Sequence, residues 1–337
     1  MSRLLPALLV VLLALVEYRV SVAIDERRLG LALSAIEHLL QGTTHWQVYQ
    51  GRVLTPALLQ ATMGMLDLPA ITAFVALLGA VGLIAKAVGW AALRAVARDG
   101  ATAALSLCGV TLGWLMLHNG QPGYLWDVVD LGLVAGAIAL LARPPRPADA
   151  PSLLPWLLLL VLGALNREGA LLLATLPLVD ALLRRPRAWS QAAVVLLAVA
   201  GLAGLVLVLR ESLHVTATLE RGAEVARVTG PLHLRWAENF ATIGQELLGL
   251  FELGRGLALR PLVLLVPAVP LAVIVVRPRL VWQAAPRLLV LALALVAATL
   301  VGGEVLEGRV WAMLLPVDAV LLLAATDGLG PGVAGRL

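Results

Sequence analysis

Asn166-Arg167-Glu168 interrupts one of the most apolar stretches of the chain. Arginine carries a planar fork of donors matched to phosphate or carboxylate. Glutamate either accepts a proton or pairs with an arginine. The alternative is that Arg167 and Glu168 neutralise each other, or partners on neighbouring helices, as any buried tip requires. Spacing alone leaves the two readings level.

Four other groups compete for a chemical role. Glu304 and Glu307 are three apart and share a face if their segment is helical. A charged surface turn is the commoner case, but Arg309 abuts the apolar run that begins at Val310. Asp127 and Asp130 share a face at the start of another run, beside Tyr124 and Trp126. The helix dipole favours acids there, and that plain reading outweighs a catalytic one. Asp318 lies two residues after Pro316, either at a kink facing the bundle interior or near the inner end. His45 and His118 have no paired-His spacing, no HExxH and no Cys partner, so no metal centre is expected. The single Cys108 forms no internal disulfide, and no glycine-rich nucleotide loop is present. No cofactor is expected.

The elements that must position these groups are membrane helices. Hydrophobic residues make up 61% of the 337 and charged residues 14%, with mean hydropathy +0.94. A soluble domain carries about 45–50% and about 25% respectively. Such a chain cannot cover itself in water, which excludes an ordinary cytosolic enzyme, a disordered protein and a nucleic-acid binder. The net charge of +4 comes from basic residues scattered in twos and threes between apolar runs, the pattern of orientation determinants. The lipid bilayer is therefore the expected partner.

Apolar runs fall near 4–24, 68–90, 101–118, 124–142, 152–165, 169–183, 189–209, 261–277, 287–302 and 310–326. Ten crossings use roughly 200 residues at about 20 each. The expected fold is an all-α integral membrane bundle of about ten transmembrane helices, residues 1–337 forming one polytopic domain. Ser2-Arg3 and Leu4–Val16 also resemble a signal peptide with a cleavage site at Ser21-Val22-Ala23. A retained first span fits better with the polytopic remainder.

Placing the N-terminus in the cytoplasm and alternating gives the short inner turns Lys86, Arg94, Arg98, Arg143, Arg146, Arg184, Arg185, Arg187, Arg277, Arg279 and Arg287. Most acids go outside. Both termini then face the cytoplasm of a bacterial inner (plasma) membrane. Residues 152–183 lie between two inner arginine clusters, so they read as a short helical hairpin with its tip at Asn166–Glu168. Backbone that breaks at such depth must be buried in protein or line a cavity. Two extracytoplasmic segments are long, 25–67 and 210–260. In the second, Trp236, Phe240, Ile243, Leu247 and Leu250 repeat at helical spacing, predicting an amphipathic helix on the membrane surface or a lid over a groove.

The mixed polar groups gather at the outer ends: Glu17/Arg19, Asp25/Glu26, Arg52, His118, Asp127/Asp130, Asn166–Glu168 and Glu304/Glu307/Arg309. Each intramembrane charge costs about 2.5–3.5 kcal/mol on insertion scales, so the one-sidedness predicts an outward-opening polar cavity.

Leu165-Asn166-Arg167-Glu168-Gly169 and the apolar run after it resemble the Asn-Arg-Glu-Thr signature of a large group of bacterial polytopic membrane proteins, with Gly169 where Thr is usual. Arg52-Val53-Leu54-Thr55-Pro56, and Glu307-Gly308-Arg309 with Pro316, extend the resemblance in the same order. That group is similar in architecture to the C-type glycosyltransferases, which take a sugar from a polyprenyl-phosphate donor on the extracytoplasmic side. The resemblance implies Asp25 or Glu26 as general base for an acceptor hydroxyl. It implies Arg167 or Arg309 as the holder of the donor phosphate, with Arg52, Asn166, Glu168 and Glu307 binding substrate nearby. Fold-level analogy leaves two other classes open. One is a transporter or flippase for an amphipathic substrate, which would favour matching halves with broken helices. The other is a non-catalytic subunit of an envelope assembly.

The charge tally makes one outcome directly measurable. A reporter fused after Leu337 is expected to lie in the cytoplasm; an external reporter removes the alternating topology.

Overall fold

The computed structural model describes residues 4–23, 30, 33–34, 36, 52–117, 125–143, 153–183, 188–213, 236–249, 263–302, 311–334 and 336–337. Apart from one antiparallel bridge between Ala97 and Leu329, the ordered elements among them are helical. In order they are α1 (Leu4–Ala23), α2 (Leu54–Leu66), α3 (Ala70–Val96), α4 (Gly100–Leu117), α5 (Leu125–Ala142) and α6 (Leu154–Asn166). A 3₁₀ segment (Glu168–Ala174) leads into α7 (Thr175–Leu183) and α8 (Trp189–Leu213). Then come α9 (Trp236–Gly249), α10 (Leu265–Val276), α11 (Pro278–Ala284), α12 (Pro286–Gly302) and α13 (Leu314–Ala325).

Each of the ten apolar runs carries a helix among its described residues. Five of the helices, α1, α3, α4, α5 and α8, are long and apolar enough to cross a membrane. α10 and α11 meet that standard only as a pair bent by 107°, the shape of either a broken span or a re-entrant loop. The chain is a multi-pass membrane helical bundle. The described part of the segment 25–67 is not simply loop, because it contains the apolar helix α2.

The spans divide by burial. α5 is the central helix, with 72% of its membrane-length window buried, against 17% for α1 and α8. Leu8, Leu12, Leu197 and Leu207 on those outer helices are exposed apolar side chains, which lipid tolerates and water does not. α3 packs most extensively against α5. Glycine permits that approach: a Cβ on Gly132 would stand 3.6 Å from the Ala85 Cα. Lipid tails are as apolar as leucine, so close backbone packing replaces hydrophobic segregation as the force between helices.

Chain reversals follow local chemistry. Asp67 ends α2 in the left-handed region (φ 50°), and Pro69 then starts α3. Asp99 caps α4, its Oδ1 accepting the Thr102 backbone N–H at 2.7 Å. That hydrogen bond is the main reason its carboxyl sits below the ordinary value. α9 docks on the end of α12 through buried Asn239, whose Nδ2 donates to the Leu300 carbonyl at 2.9 Å. Those carbonyls are the ones a helix C-terminus leaves without intrahelical donors. Trp236 and Phe240 of α9 are exposed, as an interfacial helix requires.

Two ion pairs tie helices together away from the hairpin tip. Lys86 on α3 is buried against Glu17 of α1. The sequence reading assigned Lys86 to the inner side with the orientation-setting arginines; α3 continues ten residues beyond it, to Val96, and holds it within the bundle. Arg287 on α12 donates from Nε (3.0 Å) and Nη2 (2.7 Å) to Asp180 Oδ1 on α7. Arg287 is also mostly buried rather than solvated.

Lys86→Ala is expected to destabilise the protein by about 3–5 kcal/mol, because it strands the Glu17 carboxylate. Glu17→Leu with Lys86→Met is expected to recover most of that loss in thermal unfolding of the detergent-solubilised protein. A double variant no better than the single would show that the pair carries more than charge neutralisation.

Candidate functional site

The hairpin tip is built by a local break. α6 ends at Asn166, Arg167 is extended (φ −163°, ψ 135°), and the 3₁₀ segment starts at Glu168. The returning 3₁₀ segment of the hairpin passes close to α6 because residue 163 is glycine. A Cβ there would lie 2.7 Å from the Ala170 Cβ, inside contact distance. The break aims two consecutive polar side chains into the side of α5.

Asn166 is fully buried and nearly saturated. Its Nδ2 donates to the Trp126 carbonyl and to Asp130 Oδ1, both at 2.8 Å, and its Oδ1 accepts from the Thr55 hydroxyl at 3.2 Å. Three of the four hydrogen-bonding positions of the amide are used. Arg167 Nη1 donates to Asp127 Oδ1 at 3.1 Å and lies 3.7 Å from Asp130 Oδ2. Asp127 and Asp130 are both completely buried. Arg52, just before α2, is also buried, its guanidinium carbon 5.1 Å from the Trp126 ring centroid. A desolvated cation over an indole face gains about 2 kcal/mol.

The cluster thus joins two guanidinium groups and two carboxylates drawn from three segments of the chain, and these four groups sum to zero formal charge. Its members differ in access. The side chains of Asp127 and Asp130 have no exposure, whereas that of Arg167 keeps 16%. Glu168 beside it is half-buried. Chemically, this is a guanidinium oriented from behind by acids and offered at a helix break, a geometry suited to an incoming anion. Among the described residues no group of three His, Cys, Asp or Glu side chains is placed to hold a metal ion.

Of the site residues named from sequence, the structure brings together Arg52, Asn166, Arg167 and Glu168. Asp25, Glu26, Glu307 and Arg309 lie outside the described residues, as do Glu304, His45 and His118. Asp127 and Asp130 need a correction. They are not helix-start acids exposed to the dipole alone; they are the buried partners of Arg167 and Asn166. The signal was present. Two acids three apart, on a helix whose other face positions are almost all apolar, have no cheap place in a membrane except against a cation. Thr55 and the Trp126 carbonyl were not separable from other hydroxyls and amides by sequence. Asp318 faces the interior, and Pro316 falls in the first turn of α13, where proline causes no kink.

No family model, curated protein or solved structure matches the chain.

Arg167→Ala is expected to lower the yield of folded protein or its thermal stability far more than Arg143→Ala, since Arg143 is exposed and Arg167 neutralises two buried acids. Asn166→Asp is expected to be worse than Asn166→Ala, because it adds a third carboxylate and removes two donors. Equal tolerance of Arg167→Ala and Arg143→Ala would mean that the cluster does not depend on the ion pair.

Proposed function

We propose that the chain is a membrane glycosyltransferase of the C-type kind, working on the extracytoplasmic side of a bacterial inner membrane. It would move a sugar from a polyprenyl-phosphate donor to an envelope acceptor. The observation that carries this reading is the pinned guanidinium: Arg167 is fixed by Asp127 and Asp130 yet keeps an accessible part at the hairpin tip. A phosphate leaving group needs such a preorganised cation, since fixed charge costs no reorganisation when negative charge develops. A lipid-linked donor arrives through the bilayer, which agrees with a chain that encodes no nucleotide loop.

In this mechanism the acceptor hydroxyl loses its proton to Asp25 or Glu26 as its oxygen bonds to the anomeric carbon. The bond from that carbon to the phosphate oxygen breaks, and polyprenyl phosphate departs with the electron pair. Arg167, with Arg309, holds the departing phosphate, while Glu168 and Glu307 bind sugar hydroxyls. Arg52 and Asn166, both buried, keep α5 and the hairpin tip in register. Transport of an amphipathic substrate is the second reading. It is favoured by the bend between α10 and α11, a second break in the apolar helices in addition to the hairpin.

The test is sugar transfer from a radiolabelled polyprenyl-phosphate donor to membrane acceptors in proteoliposomes. Arg167→Lys, which keeps the charge but loses the fork, is expected to slow transfer about 10²-fold, the scale for loss of one oriented donor to a developing anion. Absence of transfer by folded protein with every lipid-linked hexose and pentose tried, together with movement of the intact donor across the bilayer, would replace the enzyme reading by the transport one.

A further inference from the structure

A second polar group is buried outside the Arg167 cluster, and among the described residues it has no ion-pair partner. α13 lies between α4 and α10 and floors a cavity of about 600 Å³ whose walls those two helices form. The lining is mainly apolar, Val110, Val266, Val269 and Leu322 among it, with the hydroxyl residues Thr102, Ser106 and Thr326 and one charged group, Asp318, set into the floor. Asp318 is only 5% exposed, and its Oδ1 has no hydrogen-bond partner. Among the described residues no basic side chain pairs with it. The other buried acids, Glu17, Asp127 and Asp130, each have a cation within ion-pair distance.

The depth of this carboxyl is fixed by two contacts. Leu315 meets Gly113 near one end of α4, and Leu329 bridges Ala97 just before its other end. α13 therefore runs antiparallel to α4, and Asp318, about one turn past Leu315, faces the middle of that helix near Gly109. α4 has 18 residues, about 27 Å at 1.5 Å per residue, so the carboxyl lies far from either interface. A phospholipid headgroup amine stays at the surface and does not reach it. The volume falls in the range of small-molecule sites, roughly 300–1,000 Å³. Exposed Leu105 and Leu265 stand at its rim, so entry from lipid is through apolar side chains.

We propose that this cavity binds a small lipophilic amine: an apolar body carrying one protonated nitrogen that pairs with Asp318. An apolar wall selects the body, and the lone carboxylate selects the charge. A neutral alcohol would gain the wall without the ion pair, and a fatty acid brings no cation to pair with the carboxyl. The site is separate from the Arg167 cluster and stands whether or not that cluster transfers sugar.

Native mass spectrometry of the detergent-solubilised chain with dodecylamine, dodecanol and dodecanoate tests the idea without any variant. One dodecylamine per chain is expected, held at least 10-fold more tightly than dodecanol, with no retained dodecanoate. Asp318→Asn is expected to bring the amine down to the level of the alcohol. Gly109→Leu fills the space instead, since a Cβ at Gly109 meets nothing within 4 Å, and is expected to weaken amine and alcohol alike. Equal retention of amine and alcohol by the wild-type chain overturns the proposal. So does amine binding that survives both substitutions. A stoichiometric second polypeptide seated on the groove, with no amine bound, also overturns it in favour of a basic transmembrane partner.

Discussion

Two carboxylates in the most buried membrane-length helix of the bundle are the constraint on which the rest of this structure depends. Asp127 and Asp130 sit on α5 with no exposed surface. Left alone in hydrocarbon they would cost about 2.5–3.5 kcal/mol each on the mildest scales. α5 cannot occupy the centre unless a cation is delivered to its side. The cation comes from a break in another helix, and an unbroken α6 could not deliver it. An intact helix satisfies its own backbone and points successive side chains 100° apart. The extended residue Arg167 lets Asn166 and Arg167 reach the same helix, one to Asp130 and the Trp126 carbonyl, the other to Asp127.

The secondary features follow from that delivery. Gly163 gives the returning chain room beside α6. Thr55 at the start of α2 supplies the hydroxyl that fills the Asn166 carbonyl. Arg52 closes the cluster over the indole of Trp126. On the far side of the hairpin, the Asp180–Arg287 pair fastens α7 to α12. The hairpin is thus held at both ends by charge, which suits an element whose helices are too short to span alone.

Much of this was legible in the sequence, and the gaps have a physical pattern. Apolar runs located the helices because hydropathy reads each segment independently of its neighbours. The hairpin at Asn166–Glu168 was legible because a polar triplet interrupts an apolar stretch between two basic clusters that the orientation rule assigns to one side. The burial of Lys86 was not legible because a charge tally records only the side of a basic residue, and here α3 runs on for more than two further turns. Asp127 and Asp130 were undervalued for a related reason. The helix dipole offers a local explanation for acids at a helix start, and a local explanation conceals a partner 40 residues away. Helix α2 was missed because the segment around it is long and polar, which masks a 13-residue apolar stretch.

The ion pairs also explain how a bundle of near-uniform Ala, Leu and Val surfaces selects one arrangement. Between such helices, packing against a neighbour differs little from packing against lipid, so sliding and rotation are weakly opposed. Glu17–Lys86, Asp127–Arg167 and Asp180–Arg287 each join two different elements at one register. A one-residue slip turns a side chain by about 100° and would strand a charge on both helices. That penalty is steeper than anything apolar packing imposes. The pairs therefore act chiefly as register marks, consistent with buried ion pairs being poor sources of net stability but strong penalties when broken. By the same logic an acid without a mark, such as Asp318, contributes nothing to register. Its presence in the floor of a cavity is not required by the fold, which directs attention to what fills the cavity.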